Sequence, residues 1–276
     1  MRTRSFLLAA LVAALALSIA AVPAGAAGPG TPRTWGSNSF GELGDGTAAN
    51  RFAPGPVAGL DDATELAGGR EHVIALRADG SVWAWGSNQY GQQGNGGTAN
   101  RPTPGPVTGL TGAVQVAAGH YHGMALLGDG TVRTWGMNSQ GQLGDGTKTK
   151  RTRPVQVRNL TGVTSIAGAR GHSLAIRSDG TVRAWGRDNL GQLGNGATAN
   201  RSTPVRVGTL TGVRLVAGGR DHGLAVLGDG TVRAWGANTY GQLGYGTTSR
   251  RTSPVTVPGL SGVETVTAGR AYSAAL

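Results

Sequence analysis

The chain has 276 residues, of which 50 are glycine and none is cysteine, and its formal net charge is +11. The lack of cysteine excludes disulfides, thiol nucleophiles and cysteine-based zinc sites. Only 14% of the residues are charged, which excludes a coiled coil and a disordered, highly charged tail. The basic excess favours acidic partners.

The first 26 residues have the layout of a secretory signal peptide. Two arginines precede an apolar run from Phe6 to Ala21, and the small residues Ala24 and Ala26 follow it in an A-x-A cleavage pattern. The run is shorter than the ~20 residues that a membrane-spanning helix needs. We therefore expect cleavage near Ala26 and no membrane span in the mature protein. The Arg-, Ala- and Gly-rich composition indicates a bacterial protein, secreted or held at the cell surface.

Residues 27–276 contain five in-register copies of a 50-residue unit. The copies are aligned by Trp-Gly pairs that start at positions 35, 85, 135, 185 and 235. Each pair is followed by Gly-x-x-Gly-x-Gly, a proline and a Gly-x-x-His segment, in which Tyr272 replaces histidine in the last copy. Short apolar runs around Asp-Gly pairs, such as 172–176 and 181–185, predict β-hairpins. About four short strands per unit is typical of a propeller blade.

The pattern Trp-Gly-x-Asn-x-x-Gly-Gln-Leu-Gly, then Pro-Val, Ala-Gly-x-x-His-x-x-Ala-Leu and Asp-Gly, resembles the regulator of chromosome condensation (RCC) repeat family. Residues 235–244 match it closely, and the resemblance covers 31–276. It implies an all-β protein, a β-propeller. Well-known members have seven blades, whereas this sequence has five units.

The two ends of the repeat region fall at consecutive positions of the 50-residue unit. Leu276 is equivalent to Leu76, and the next position in the repeat is equivalent to Ala27, the first residue after the predicted cleavage. We expect Tyr272–Leu276 to pair with Thr31–Trp35 and to close a five-blade ring. The alternative is an open arc, either as a fragment or as a chain that dimerises.

The tryptophans repeated in all five copies and the histidines repeated in four are interpreted as structural, buried within or between blades. They are Trp35, Trp85, Trp135, Trp185, Trp235, His72, His122, His172 and His222. His120 and His122 lack a third ligand for a metal, and the glycine-rich segments lack the lysine spacing and the helix of a phosphate-binding loop. The sequence contains no catalytic triad pattern. We therefore expect no cofactor, no metal and no enzymatic activity.

Two sets of positions are candidates for partner binding. Large side chains follow the Trp-Gly pairs or depart singly from the repeat, and such residues anchor interfaces: Phe40, Tyr90, Leu190, Tyr240, Tyr121 and Tyr245. The second set is a column of arginines with additional charges in the third copy: Arg51, Arg101, Arg151, Arg201, Arg251, Lys148, Lys150, Arg153 and Arg158. The competing interpretations are burial between blades for the first set and bonds to nearby carbonyls for the arginines.

These features predict an exported, non-enzymatic scaffold that binds a protein or an acidic cell-surface polymer through its repeated loops. One alternative is a secreted inhibitor of an enzyme, because the family that the repeats resemble includes a secreted bacterial β-lactamase inhibitor with seven shorter blades. A second alternative is a glycan-binding lectin with one site per blade. Export and the lack of a known reading motif argue against nucleic acid.

Overall fold

The computed structural model describes residues 29–276, so the predicted signal peptide lies outside the described residues. Twenty strands form six antiparallel sheets. The all-β prediction is confirmed: residues 29–276 contain no helix, and so no helical segment there that could cross a membrane.

Four of the six sheets are complete blades of four strands. A two-stranded sheet precedes them, formed by β1 (Arg33–Gly36) and β2 (Arg51–Pro56). The four blades are β3 (Ala63–Gly68), β4 (His72–Arg77), β5 (Val82–Gly86) and β6 (Arg101–Pro106); β7 (Ala113–Ala118), β8 (His122–Leu127), β9 (Val132–Gly136) and β10 (Arg151–Gln156); β11 (Val163–Gly168), β12 (His172–Arg177), β13 (Val182–Gly186) and β14 (Arg201–Arg206); and β15 (Val213–Gly218), β16 (His222–Leu227), β17 (Val232–Gly236) and β18 (Arg251–Thr256). A second two-stranded sheet follows, formed by β19 (Val266–Ala268) and β20 (Ser273–Ala275).

The blades are arranged around a common axis. The first strands of successive sheets, β3, β7, β11, β15 and β19, contact one another along the chain. Within a blade, Gly86 is paired with both His72 and Arg101. The loops between the first and second strands and between the third and fourth strands therefore lie at the same end of each sheet, which we call the top face. The Asp-Gly hairpins lie at the opposite end, and Gly80 there has a φ of 75°.

Successive blades are joined by the same set of contacts. The buried Trp135 ring donates its Nε1–H to Gln92 O of the preceding copy at 2.8 Å, and the Gly96 N–H donates to Thr152 O at 2.8 Å. A Cβ on Gly91 would lie 2.8 Å from Thr152 Cα. The glycine-rich segment forms turns, and its glycines have positive φ angles. Its second role is to let two blades approach closely.

The predicted pairing of the terminal strands is not formed. Among residues 29–276, β1 pairs only with β2, and β20 pairs only with β19. One end of the arc is thus the outer half of a blade, and the other end is an inner half. Each junction uses the same contacts, and after five copies the two ends are still unpaired with each other. We call the gap between β1 and β20 the seam.

Candidate functional site: the top face and its axial cavity

The predicted aromatic loops lie on the top face beside the loops that precede the histidines. Ser87 N–H donates to Glu71 O at 2.7 Å, and Met137 N–H donates to Tyr121 O at 2.9 Å. Each blade therefore presents two hydrogen-bonded loops next to each other. The sequence alone did not show this adjacency, because the loops are separated by a whole hairpin.

The structure brings some of the predicted aromatic residues together. The Tyr90 and Tyr121 rings lie with centroids 5.1 Å apart, and the Arg70 guanidinium lies 5.7 Å from the centre of the Tyr121 ring. Arg70 also donates a hydrogen bond to the Tyr121 hydroxyl. These three side chains form a continuous cluster, which we call the Tyr90–Tyr121 cluster.

The other large side chains of this set lie apart from that cluster. Phe40 is exposed and lines a cavity at the centre of the top face, whereas Leu190 is half-buried in its own loop. Tyr240 is 79% exposed, and Tyr245 donates its hydroxyl proton to Ser249 O. The last two residues belong to the fifth copy, beside the seam.

Four of the five arginines in the predicted column contact other groups within the protein. Arg51 and Arg151 form ion pairs with Asp45 and Asp145, the second at 2.7 Å. Arg101 donates to two main-chain carbonyls of its own blade, at 2.7 and 2.8 Å. Arg251 lies over the Tyr245 ring. The column therefore stabilises the outer strands as well as contributing positive charge.

The additional charges of the third copy lie at the outer edge of the arc. Lys148, Lys150, Arg153 and Arg158 are exposed. These four residues lie on or beside the outer strand β10 and take no part in the Tyr90–Tyr121 cluster.

The repeated tryptophans and histidines are buried, with one difference at the seam. Trp85, Trp135, Trp185 and Trp235 are all 0% exposed, whereas Trp35 is partly exposed. The rings of His72, His122 and His222 lie against the glycine three positions earlier in the chain, and burial lowers the pKa of His122 and of His172 to about 3. His122 Nε2 lies 2.9 Å from Ser173 Oγ. Within 29–276, no group of three or more His, Cys, Asp or Glu residues could hold a metal ion.

A further set of residues surrounds a cavity of about 890 Å³ at the centre of the top face. These residues stand two positions before each histidine or its equivalent: Arg70, His120, Arg170, Arg220 and Arg270. Main-chain hydrogen bonds join the set from copy to copy: the Arg70 N–H donates to His120 O at 3.1 Å, and the His120 N–H donates to the O of Ala169, the residue before Arg170, at 3.3 Å. We call this set the axial column.

The axial column is strongly positive. Asp221 lies 3.3 Å from Arg220 and 4.0 Å from Arg170, and Arg70 has Glu71 at 3.3 Å. Burial and the positive charges of Arg170, Arg70 and Arg220 together lower the pKa of His120 to about 4, although Asp221 acts in the opposite direction. His120 is therefore neutral at physiological pH. The periodic arginines were visible in the sequence, but their convergence on the axis was not.

Comparisons with known proteins agree with this architecture. A family model, the regulator of chromosome condensation (RCC1) repeat, matches residues 34–76, 79–126, 129–176, 179–226 and 229–276, and a second model of the same repeat matches 63–92, 113–142, 163–192 and 213–242. No curated protein matches the sequence.

Solved structures show the same fold. Human WBSCR16 is 22% identical with a TM-score of 0.78, covering 89% of this chain and 67% of that one. Yeast RCC1 (Prp20), solved with Kap60, is 23% identical with a TM-score of 0.76, covering 88% and 62%. Prp20p from Saccharomyces cerevisiae, in a second structure, is 22% identical with a TM-score of 0.71, covering 89% and 62%.

This chain spans about two thirds of the length of those structures. At such identities the likeness shows the β-propeller fold alone, while the five in-register repeat matches cover most of the chain. The predicted resemblance is therefore confirmed, and the chain belongs to the regulator of chromosome condensation (RCC1) repeat family.

Proposed function

We propose that the protein is an exported, non-enzymatic scaffold that binds another protein through its top face. The observation that carries this proposal is the Tyr90–Tyr121 cluster, in which two aromatic rings and the Arg70 guanidinium lie together at the loop surface. Tyrosine and arginine are the residue types that most often dominate the binding energy of protein interfaces.

The loops that present this cluster are held rigidly. Asn88 is fully buried and accepts a hydrogen bond from Gln93 N at 2.9 Å. Its side-chain amide donates to Gly97 O and Ala99 O, at 3.2 and 3.0 Å. One asparagine thus ties both ends of a long loop together. A loop that is already ordered loses less conformational entropy on binding, which raises the affinity for a partner.

Two structures of a related protein support a protein partner. One relative, yeast RCC1 (Prp20), was solved bound to Kap60, and the other structure of Prp20p is described with its binding to Gsp1p and histones. The positive net charge of this chain favours a partner with an acidic surface, since complementary charge speeds association and excludes wrong partners.

The test is a pull-down from bacterial envelope and medium with the purified protein as bait. We expect a partner that the wild-type protein and Phe52→Ser both retain and that the double variant Tyr90→Ser, Tyr121→Ser loses. Phe52 is the matched control because it is 97% exposed but lies on the outer strand β2. A partner lost with Phe52→Ser and kept by the double variant would contradict binding through the top face.

A further inference from the structure

The axial cavity is built from all five copies and has the size of a ligand pocket. Its volume of about 890 Å³ lies within the ~300–1,000 Å³ typical of small-molecule sites. The ends of the inner strands form its wall, together with β1 and the loop that carries Phe40. A cavity at the axis receives one side chain from each blade at the same level, which concentrates a repeated residue at one place.

The residue so concentrated is arginine. Two glutamates line the cavity against five arginines, which are Arg33, Arg70, Arg170, Arg220 and Arg270. Both glutamates have other contacts, because Glu71 pairs with Arg70 at 3.3 Å and Glu42 accepts the Phe40 N–H at 2.7 Å. The excess positive charge is therefore not neutralised by the residues that line the cavity.

Among residues 29–276, Arg33 and Arg270 have no ion pair, and Arg170 has only a long one. Arg270 is exposed, and the nearest carboxylate to Arg170 is Asp221 at 4.0 Å. Asp221 itself is shared with Arg220 and Arg187, at 3.3 and 3.4 Å. The guanidinium groups of Arg170 and Arg270 thus retain donors that the protein does not satisfy with a carboxylate of their own.

We propose that the axial cavity is a binding site for a compact polyanion that carries two or more phosphate or carboxylate groups. A guanidinium presents a planar pair of N–H donors that matches both oxyanions, and several guanidiniums around one cavity match a ligand with several such groups. The proposal goes beyond the scaffold function, since it needs no macromolecular partner.

Isothermal titration calorimetry with pyrophosphate and with citrate tests the site, at about 0.15 M salt to screen weak surface attraction. We expect the wild-type protein to bind at least one of the two anions. Arg270→Gln, which removes an exposed side chain, is expected to weaken binding by about tenfold, and the double variant Arg170→Gln, Arg270→Gln by more.

The matched control is the double variant Arg153→Gln, Arg158→Gln, which removes the same charge from the outer edge. We expect it to change the affinity by less than about twofold, because exposed charges outside the cavity are screened. Equal weakening by the two double variants would overturn the proposal, and so would no binding of either anion at about 1 mM.

The pKa of the His120 imidazole supplies a second measurement. It would not change on adding the anion if the arginines had only a structural role. The charged groups around it are Arg70, Arg170, Arg220 and Asp221, and burial together with the arginines holds its pKa at about 4. A bound polyanion would stabilise the protonated ring, so NMR titration is expected to show a higher pKa with saturating pyrophosphate. An unchanged pKa would overturn the proposal.

A short acidic peptide distinguishes the free ligand from an acidic segment of a protein partner. We expect pyrophosphate or citrate to bind without it and to compete with it. Binding of the peptide alone would overturn the proposal and would assign the cavity to the partner interface. Failure of the anion titrations leaves the pull-down result unaffected, so the two proposals are tested separately.

Discussion

The complete blades and the two half-blades at the seam contain the same residues in different surroundings. Trp135 is 0% exposed, whereas Trp35 is partly exposed. A Cβ on Gly91 would meet the next blade, but one on Gly241, in the last complete blade, would meet nothing within 4 Å because only the inner half-blade follows it. Phe52, equivalent to residues covered by a preceding blade elsewhere, is 97% exposed. The difference teaches that burial in this fold is produced by the junctions between blades and not by the blade alone.

Replacing the repeated tryptophan should give the largest difference in stability between a complete blade and a half-blade. Trp135→Ala removes a fully buried ring and its bond to Gln92 O, so we expect a loss of about 3–5 kcal/mol of unfolding free energy. Trp35→Ala should cost roughly 1–2 kcal/mol, because part of the ring already contacts solvent. Urea unfolding of both variants measures the difference, and equal losses would show that Trp35 is buried in solution.

A pair of glycine substitutions separates backbone strain from packing. Gly91 and Gly241 have similar φ angles of 80° and 76°. Gly241→Ala should therefore cost only the strain of a left-handed residue, about 1–2 kcal/mol. Gly91→Ala should cost a further 1–3 kcal/mol or so, since its Cβ would lie 2.8 Å from Thr152 Cα. Thermal unfolding measures both, and a Gly241→Ala loss as large as that of Gly91→Ala would indicate a closed seam.

A difference between the third and fourth copies predicts a smaller change in stability, and it compares two complete blades with each other. Asn138 donates to Thr147 O and Thr149 O, at 3.1 and 3.0 Å, but its equivalent is Asp188. Asp188 Oδ2 is buried without a hydrogen-bond partner in the described structure. Asp188→Asn should therefore stabilise the protein by about 1–3 kcal/mol at neutral pH. The matched reverse change, Asn138→Asp, should destabilise it by a similar amount.

The stabilisation by Asp188→Asn should depend on pH. Burial raises the pKa of Asp188 to about 6 from an ordinary value of 3.8. The folded protein therefore binds this proton more tightly than the unfolded chain does, and stability from this group is lost as the pH rises from 3.8 towards 6. The advantage of the variant should be largest above pH 6 or so and should shrink towards pH 4. A gain independent of pH would contradict this account.

The hairpins and the strand content followed from the sequence, because Asp-Gly turns and alternating apolar runs are local signals. The closure of the ring did not follow, since repeat phase gives the register of Tyr272–Leu276 against Thr31–Trp35 but not the rotation between blades. The axial column was also not predicted, because the repeat phase does not show which residues meet at the axis. Arg70 and Arg270 lie 200 positions apart, and only the curvature of the arc places them around one cavity.

The repeated junction has a consequence for the energetics of the whole molecule. The bond from tryptophan Nε1–H to the carbonyl 43 residues earlier recurs four times, at 2.8–2.9 Å. A structure held together by identical nearest-neighbour contacts behaves as a one-dimensional array, in which each unit contributes its own free energy and one coupling to the next. Inserting or deleting a whole unit therefore alters stability by one such increment and leaves every remaining contact in register.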